Sequence, residues 1–198
     1  MGKQKWKPGN MLYPLPAALV TVAGKQGKAN IFTVAWTGTV CSDPPMVSIS
    51  VRPERYSHQM IEETGEFVLN LTTRKLAYAT DYCGVKSGRN TDKIKDMGLT
   101  LIPGDKVGAP LLGESPVNIE CRVKQTLRLG THDMYLADVV AVHAEEAYMD
   151  ANGRFRLDDT DLIAYSHGYY FTLGEKIGTF GYSVKSVKRS SKSAKNAD

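Results

Sequence analysis

The fold of this chain is decided by residues 29–58, ANIFTVAWTGTVCSDPPMVSISVRPERYSH. Residues 31–40 are rich in β-branched and aromatic side chains, which favour a strand. The Asp-Pro-Pro segment at 43–45 must end that strand, because proline has no N–H to give to a ladder. Residues 46–51 then alternate between apolar and polar, as a strand with one apolar face does. The stretch therefore predicts two strands joined by a Pro-Pro turn.

Candidate anion-binding groups follow the second strand. Ser57 is predicted to cap a short helix over residues 58–64, which Gly65 ends. The N-terminus of a helix exposes free N–H groups that attract an anion, and Arg52 and Arg55 lie just before it. The segment therefore suits a phosphate-sized anion. The same residues also suit an ordinary N-cap with two solvated arginines, and spacing alone favours that simpler interpretation.

The rest of the chain repeats the pattern of strands and short helices. Further strands are predicted at 15–23, 66–71, 115–129 and 134–147, and further helices at 74–82 and 93–97. Short turns between successive strands favour antiparallel hairpins. Six or seven such strands predict a mainly β fold, an antiparallel barrel with a few short helices, because closing the sheet removes its edges. Residues 1–182 are expected to form one domain.

The positive charge of the chain is concentrated at its end. The net charge is +4, and residues 183–198 carry five Lys or Arg against one Asp. The remaining body is neutral, so the sequence does not predict a basic face for nucleic acid. The polar, low-complexity segment 183–198 is predicted to be a disordered tail.

Hydropathy and cysteine content predict a cytoplasmic protein that does not enter a membrane. No apolar run reaches the roughly 18 residues that a membrane span needs, and the basic N-terminus has no apolar core of a secretory signal. The three cysteines are far apart and lack a CxxC pair, so neither a zinc site nor a disulfide framework is expected. Reduced thiols suit the cytoplasm.

Common catalytic and nucleotide-binding motifs do not occur in the sequence. It has no GxGxxG, P-loop, GxSxG or HExxH motif. The four histidines have no metal-ligand spacing, so no metal site is predicted. His132 differs from the others because it lies in a tight turn between two long strands, where Asp133 could fix its tautomer. The alternative for His132 is a polar turn residue.

A series of short motifs follows along the chain, at 30–36 (NIFTVAW), 42–45 (SDPP), 47–52 (VSISVR), 64–70 (TGEFVLN), 83–93 (CGVKSGRNTDK), 115–121 (SPVNIEC), 130–133 (GTHD) and 170–183. No single motif is specific, but their order and spacing together are. The series resembles the flavin reductase-like family, whose members have an FMN-binding split-barrel fold, and within it the flavoredoxins. The resemblance covers about residues 11–183.

The resemblance implies one non-covalently bound FMN. The strand at 33–37 would line the flavin ring, residues 50–52 the ribityl chain and phosphate, Ser57 the phosphate, and the 87–93 loop would close over the cofactor. His132 matches a turn histidine beside the flavin, where nicotinamide would stack, and is the expected catalytic residue. The positions expected to bind the cofactor are Asn30, Thr33, Val34, Ala35, Trp36, Thr37, Ser50, Val51, Arg52, Ser57, Cys83, Ser87, Gly88, Arg89 and Lys93.

The resemblance also implies a homodimer with FMN near its interface. One departure is Trp36, since many reductases of the family carry a serine-rich strand there, and a bulky ring restricts how nicotinamide can stack. Three functions stay open on the sequence. The first is an NAD(P)H-dependent flavin reductase. The second is a flavoredoxin-type carrier that exchanges electrons with a redox protein partner, and the third is a non-redox barrel for another phosphorylated ligand.

Overall fold

The computed structural model describes residues 1–184 of the chain. Most of the predicted basic tail therefore lies outside the described residues, and Ser183 is part of a 3-10 helix, Tyr182–Val184. None of the helices in the described part of the chain has both the length and the hydrophobicity that a membrane crossing requires.

Short strands dominate the fold. In chain order they are β1 (Leu15–Pro16), β2 (Ala18–Ala23), β3 (Ala29–Val34), β4 (Thr37–Ser42), β5 (Pro45–Val51), β6 (Glu66–Leu71), β7 (Leu101–Ile102), β8 (Leu111–Leu112), β9 (Val117–Arg128), β10 (Asp133–Ala144), β11 (Ile163–Ser166) and β12 (Tyr169–Thr172). The α-helices are α1 (Tyr56–Thr64), α2 (Ala77–Val85) and α3 (Lys93–Asp96). Short 3-10 helices lie at Arg74–Leu76, Glu146–Tyr148 and Leu157–Asp159.

Seven strands form one antiparallel sheet in the order β3-β2-β6-β9-β10-β5-β4. Strands β3 and β4 follow each other in the chain, yet they lie at opposite edges of this sheet. Only Ala35 and Trp36 join them, and two residues span at most about 10 Å. The two edges must therefore meet, which closes the sheet into a barrel. The Ser50 N–H donates to the Trp36 carbonyl at 2.8 Å, which extends the β4–β5 ladder by one residue toward this link.

The closure confirms the predicted antiparallel barrel but corrects one predicted element. Residues 31–40 are not a single strand paired with the first one. The chain leaves the sheet at Ala35 and Trp36, because β3 pairs with β2 on one edge while β4 pairs with β5 on the other. The predicted alternation in β5 is confirmed, since Val47, Ile49 and Val51 are buried in the barrel core.

Helix α1 begins two residues earlier than predicted, and its predicted cap is wrong. Arg55 is the N-cap residue, and its side chain makes no capping hydrogen bond. Ser57 lies inside the first turn, where its hydroxyl accepts a hydrogen bond from Asn30 instead. The predicted stop is confirmed, because Gly65 adopts a left-handed conformation with φ of 68° and its N–H reaches the Ile61 carbonyl.

A polar residue holds the outer face of the sheet to the segment after α3. The buried Asn70 of β6 donates to the Leu19 carbonyl at 2.9 Å. Its Oδ1 accepts from the Leu112 N–H at 3.0 Å and from Asn118 at 2.8 Å. These bonds tie β6 to β2, β8 and β9, so one side chain orders four strands.

We expect Asn70→Ala to lower the free energy of unfolding by about 2–4 kcal/mol, since several buried groups lose their partners. Urea denaturation measures this loss. The matched control is Asn152→Ala in the exposed turn at Asp150–Gly153, which should change the stability by no more than about 0.5 kcal/mol. Equal effects at the two positions would contradict the role assigned to Asn70.

Candidate functional site

A groove with two adjoining sections runs along β3 and the start of α1. The wide section has a volume of about 460 Å³, and the basic section has a volume of about 360 Å³. Phe32, Thr33, Arg52, Arg55 and Gly84 line both sections. The two sections therefore form one continuous groove that suits an elongated ligand.

The wide section lies at the seam of the barrel. Ala35 and Trp36 form one wall, and Ser50 and Val51 of β5 continue it. His132, from the turn between β9 and β10, lines the same section, and its ring is parallel to that of Trp36 with an interplanar angle of 5° and centroids 6.3 Å apart. The section thus combines apolar backbone-rich walls with two flat side chains, an arrangement that suits a planar ring.

The surroundings of His132 differ from the sequence prediction. Its Nδ1 lies 3.0 Å from the Thr131 hydroxyl. Asp133 does not fix the tautomer, because its carboxylate contacts His58 at 2.6 Å and also accepts from Arg128. Asp133, the first residue of β10, is buried, whereas His132, in the turn before it, lines the groove.

The basic section is built around a tight contact between a loop and β3. Asn30 Nδ2 donates to the Ser57 hydroxyl at 2.7 Å. A Cβ added to Gly88 would lie 2.2 Å from Asn30 Oδ1, so only glycine lets the loop after α2 approach this closely. Ser87 and Cys83 line the same section, and burial raises the pKa of the Cys83 thiol to about 11.

Lys93 brings a buried positive charge to the basic section. The residue is 3% exposed, and its Nζ donates to the Cys83 carbonyl at 3.2 Å. Burial lowers the pKa of Lys93 to about 8. No carboxylate within 4.0 Å pairs with it in residues 1–184. A buried ammonium without a counter-ion is costly, so the section is suited to an anion.

Two arginines extend this positive charge to the mouth of the groove. Arg52 is half exposed and lies 3.5 Å from Glu54, so its charge is partly compensated. Arg55, a candidate anion-binding residue in the sequence that the family resemblance did not include among the cofactor-binding positions, lines both sections. Its only sequence signal was its position just before a helix.

Fourteen of the sixteen predicted site residues line the two sections. Thr37 does not, because its hydroxyl donates to the Ser48 carbonyl at 2.7 Å on the far side of the seam. Arg89 lies in a neighbouring hollow, with its guanidinium 5.3 Å from the Tyr56 ring centroid. Sequence reasoning missed several lining residues: Asn10, Phe32, Asp81, Val85, Tyr165 and Tyr170. Phe32, Val85 and Tyr170 lie within the quoted motifs but were not selected as site residues, and the other three lie outside those motifs.

Comparison with known proteins places the chain in a family. The family model described as the flavin reductase like domain matches residues 11–171. The chain belongs to the flavin reductase-like family. A relative in this family, an uncharacterized protein of Pyrococcus abyssi, is 33% identical over 168 residues, which are 84% of this chain and 95% of the relative.

Solved structures of similar proteins share the fold of this flavin reductase-like chain. The flavoredoxin of Desulfovibrio vulgaris (Miyazaki F) has a TM-score of 0.86 and 28% identity, with 93% of this chain and all of that chain covered (100%). An FMN-binding protein from Thermus thermophilus has a TM-score of 0.74 and 25% identity, with 90% and 98% covered. The predicted family and its split-barrel fold are therefore confirmed.

The low pKa of Lys93 predicts a rise in stability with pH. Between its folded pKa of about 8 and its ordinary value of 10.5, the unfolded chain binds more protons than the folded one. Lys93 therefore contributes a gain in stability of about 2 kcal/mol between about pH 7 and about pH 9.5. Burial raises the pKa of the Cys83 and Cys121 thiols, so these two groups oppose the gain in the same window. Urea denaturation at the two pH values measures the change.

Lys93→Met is the control for this experiment, because it removes the titrating group and keeps an apolar stem. The tyrosines and cysteines that titrate at high pH are present in both proteins, so they contribute to both profiles. The stability of the natural protein should therefore rise by about 2 kcal/mol relative to that of Lys93→Met over this window. Identical profiles would show that Lys93 titrates in the same way in the folded and unfolded chains.

Proposed function

We propose that this groove binds FMN non-covalently, with the phosphate in the basic section and the flavin ring in the wide section. The proposal rests on the buried Lys93, which has no carboxylate partner in the part of the chain that the structure describes, and which lies beside the Asn30–Ser57 hydrogen bond. A phosphate dianion supplies the missing negative charge, and the Ser57 and Ser87 hydroxyls can donate to its oxygens. The FMN-binding relative from Thermus thermophilus supports this choice of ligand.

The rest of the groove fits the remaining parts of FMN. Thr33 and Gly84 lie where the two sections join, so they would border the ribityl chain. Ala35 and Val51 offer an apolar wall to a flat ring. FMN, when bound, supplies a ring that takes up a hydride and releases electrons. The chain itself has to bind, orient and shield the ring, which is why it needs no catalytic triad.

We infer that the FMN-bound protein is an oxidoreductase that uses NAD(P)H as the electron donor. His132 is the residue that would place the nicotinamide, because it projects into the wide section from a turn outside the barrel. Anaerobic titration of the flavin-loaded protein with NADH and with NADPH tests this function. Bleaching of the flavin absorbance by either nucleotide supports it, and no bleaching by either overturns it.

A flavoredoxin-type electron carrier is the second candidate. It is favoured by the 28% identity and TM-score of 0.86 to flavoredoxin, and by Trp36, whose ring occupies space beside His132. Flavin that resists NAD(P)H but exchanges electrons with a reduced ferredoxin-like protein would favour this candidate. A purified protein that takes up no flavin would overturn both. The homodimer implied by the family stays a prediction.

We expect Lys93→Met and Ser57→Ala to weaken FMN binding by about 1–3 kcal/mol, the value of a lost charge-assisted hydrogen bond. Riboflavin has the same ring and no phosphate, so its affinity should change little. Fluorescence titration with both ligands measures the difference.

The matched control is Lys95→Met, which removes an exposed lysine from the same helix α3. It should leave both affinities unchanged. If Lys93→Met weakened FMN and riboflavin equally, the phosphate would not lie in the basic section.

We expect His132→Ala to retain FMN and to slow flavin reduction by NAD(P)H about tenfold or more, because the nicotinamide loses a positioning contact. Anaerobic stopped-flow absorbance measures the rate, and FMN titration measures the affinity. A rate equal to that of the natural protein would remove His132 from the reaction.

A further inference from the structure

A buried hydrogen-bonding contact joins helix α1 to the turn that carries His132. His58 Nε2 lies 2.6 Å from Asp133 Oδ2, and the two side chains are only 13% and 7% exposed. Each member is next in sequence to a residue of the groove, since Ser57 precedes His58 and His132 precedes Asp133. The contact therefore ties together the chain segments that supply the basic section and the wide section.

An ion pair reinforces the attachment. Arg128, at the end of β9, donates to Asp133 and also to Glu62 Oε2, the latter at 2.7 Å. Glu62 lies one helical turn after His58, on the same face of α1. Helix α1 is thus held at two points by the end of the β9–β10 hairpin, which is the end that carries His132.

The negative charge of Asp133 is stabilised in the folded protein. Burial alone would raise the pKa of Asp133, but hydrogen bonds from His58 and Arg128 outweigh it and lower that pKa. Asp133 is therefore an anion with two partners. The His58 ring also packs near the Tyr135 ring, with centroids 5.8 Å apart, which restricts its movement.

We propose that His58 and Asp133 are a positioning pair that holds the His132 turn in a set place relative to the first turn of α1. A ligand anchored by its phosphate near Ser57 then has its other end beside His132. The identity of that ligand rests on the proposed function, whereas the positioning of His132 does not. Neither member of the pair lines the groove, so both act through their neighbours.

Trp36 provides a reporter for the position of His132. The two rings are parallel at 6.3 Å, so the emission of Trp36 depends on where His132 lies. The chain has two tryptophans, and Trp6→Phe leaves Trp36 as the one that emits. A pair that merely stabilised the fold would lower the melting temperature and leave the Trp36 emission of the folded protein unchanged.

The test compares variants in the Trp6→Phe background, using the full chain freed of bound flavin. His58→Phe and Asp133→Asn remove the contact, and His132→Ala gives the emission without the stacked imidazole. Asp138→Asn is the matched control, because Asp138 pairs with Lys124 on the exposed surface of the same hairpin at 3.4 Å. His58→Phe leaves Asp133 paired with Arg128, so this variant avoids an uncompensated buried charge.

We expect His58→Phe and Asp133→Asn each to shift the emission by at least half of the change seen in His132→Ala. The double variant should shift it no further, since the two residues act as one unit. Asp138→Asn should match the background protein. Emission unchanged in folded His58→Phe would overturn the proposal even if Asp133→Asn did not fold.

Flavin binding separates this proposal from the proposed function. If the natural protein took up no FMN while the Trp36 emission responded as expected, the proposed ligand would be wrong and the positioning pair would stand. If FMN bound tightly and the emission of His58→Phe stayed at the background value, the positioning pair would be wrong and the proposed ligand would stand.

Discussion

The short link between β3 and β4 is the constraint on which the rest of the structure depends. Ala35 and Trp36 connect strands at opposite edges of a seven-stranded sheet, and a two-residue link cannot cross the width of an open sheet. The sheet must close, and the seam then lies where these two residues leave the regular ladder. Irregular backbone at a seam is accessible to a ligand, so the same constraint that closes the barrel also creates the wide section of the groove.

The chemistry of the groove follows from what lies at each side of that seam. One direction leads along β3 to Asn30 and the buried Lys93, which has no carboxylate partner among residues 1–184. The other direction leads to Trp36 and His132, whose flat side chains suit a planar group. A ligand with an anionic end and a planar end matches both directions, and the family to which the chain belongs is consistent with such a ligand.

Much of the fold could be predicted from local patterns, and the failures have physical causes. The alternation in β5 and the glycine after α1 are local signals, and both were confirmed. The end of β3 before Ala35 could not be predicted from the sequence, because residues with high β-propensity continue through this position. The sequence also does not show that β3 pairs with β2 while β4 pairs with β5. The cap at Ser57 was wrong because the hydroxyl is used by Asn30, which lies 27 residues away. Arg55 could be placed at the groove only from the structure, in which it lines both sections.

The position of the groove on the seam has a consequence for the motions of the barrel. The wide section is bordered by β3 from one edge of the sheet and by β5 and the β9–β10 turn from near the other edge. A molecule in this section touches both sides of the place where the barrel could open. Bound ligand should therefore stabilise the closed barrel against local opening at the seam. Amide hydrogens of β3 and β5 should then exchange with solvent more slowly in the ligand-bound protein.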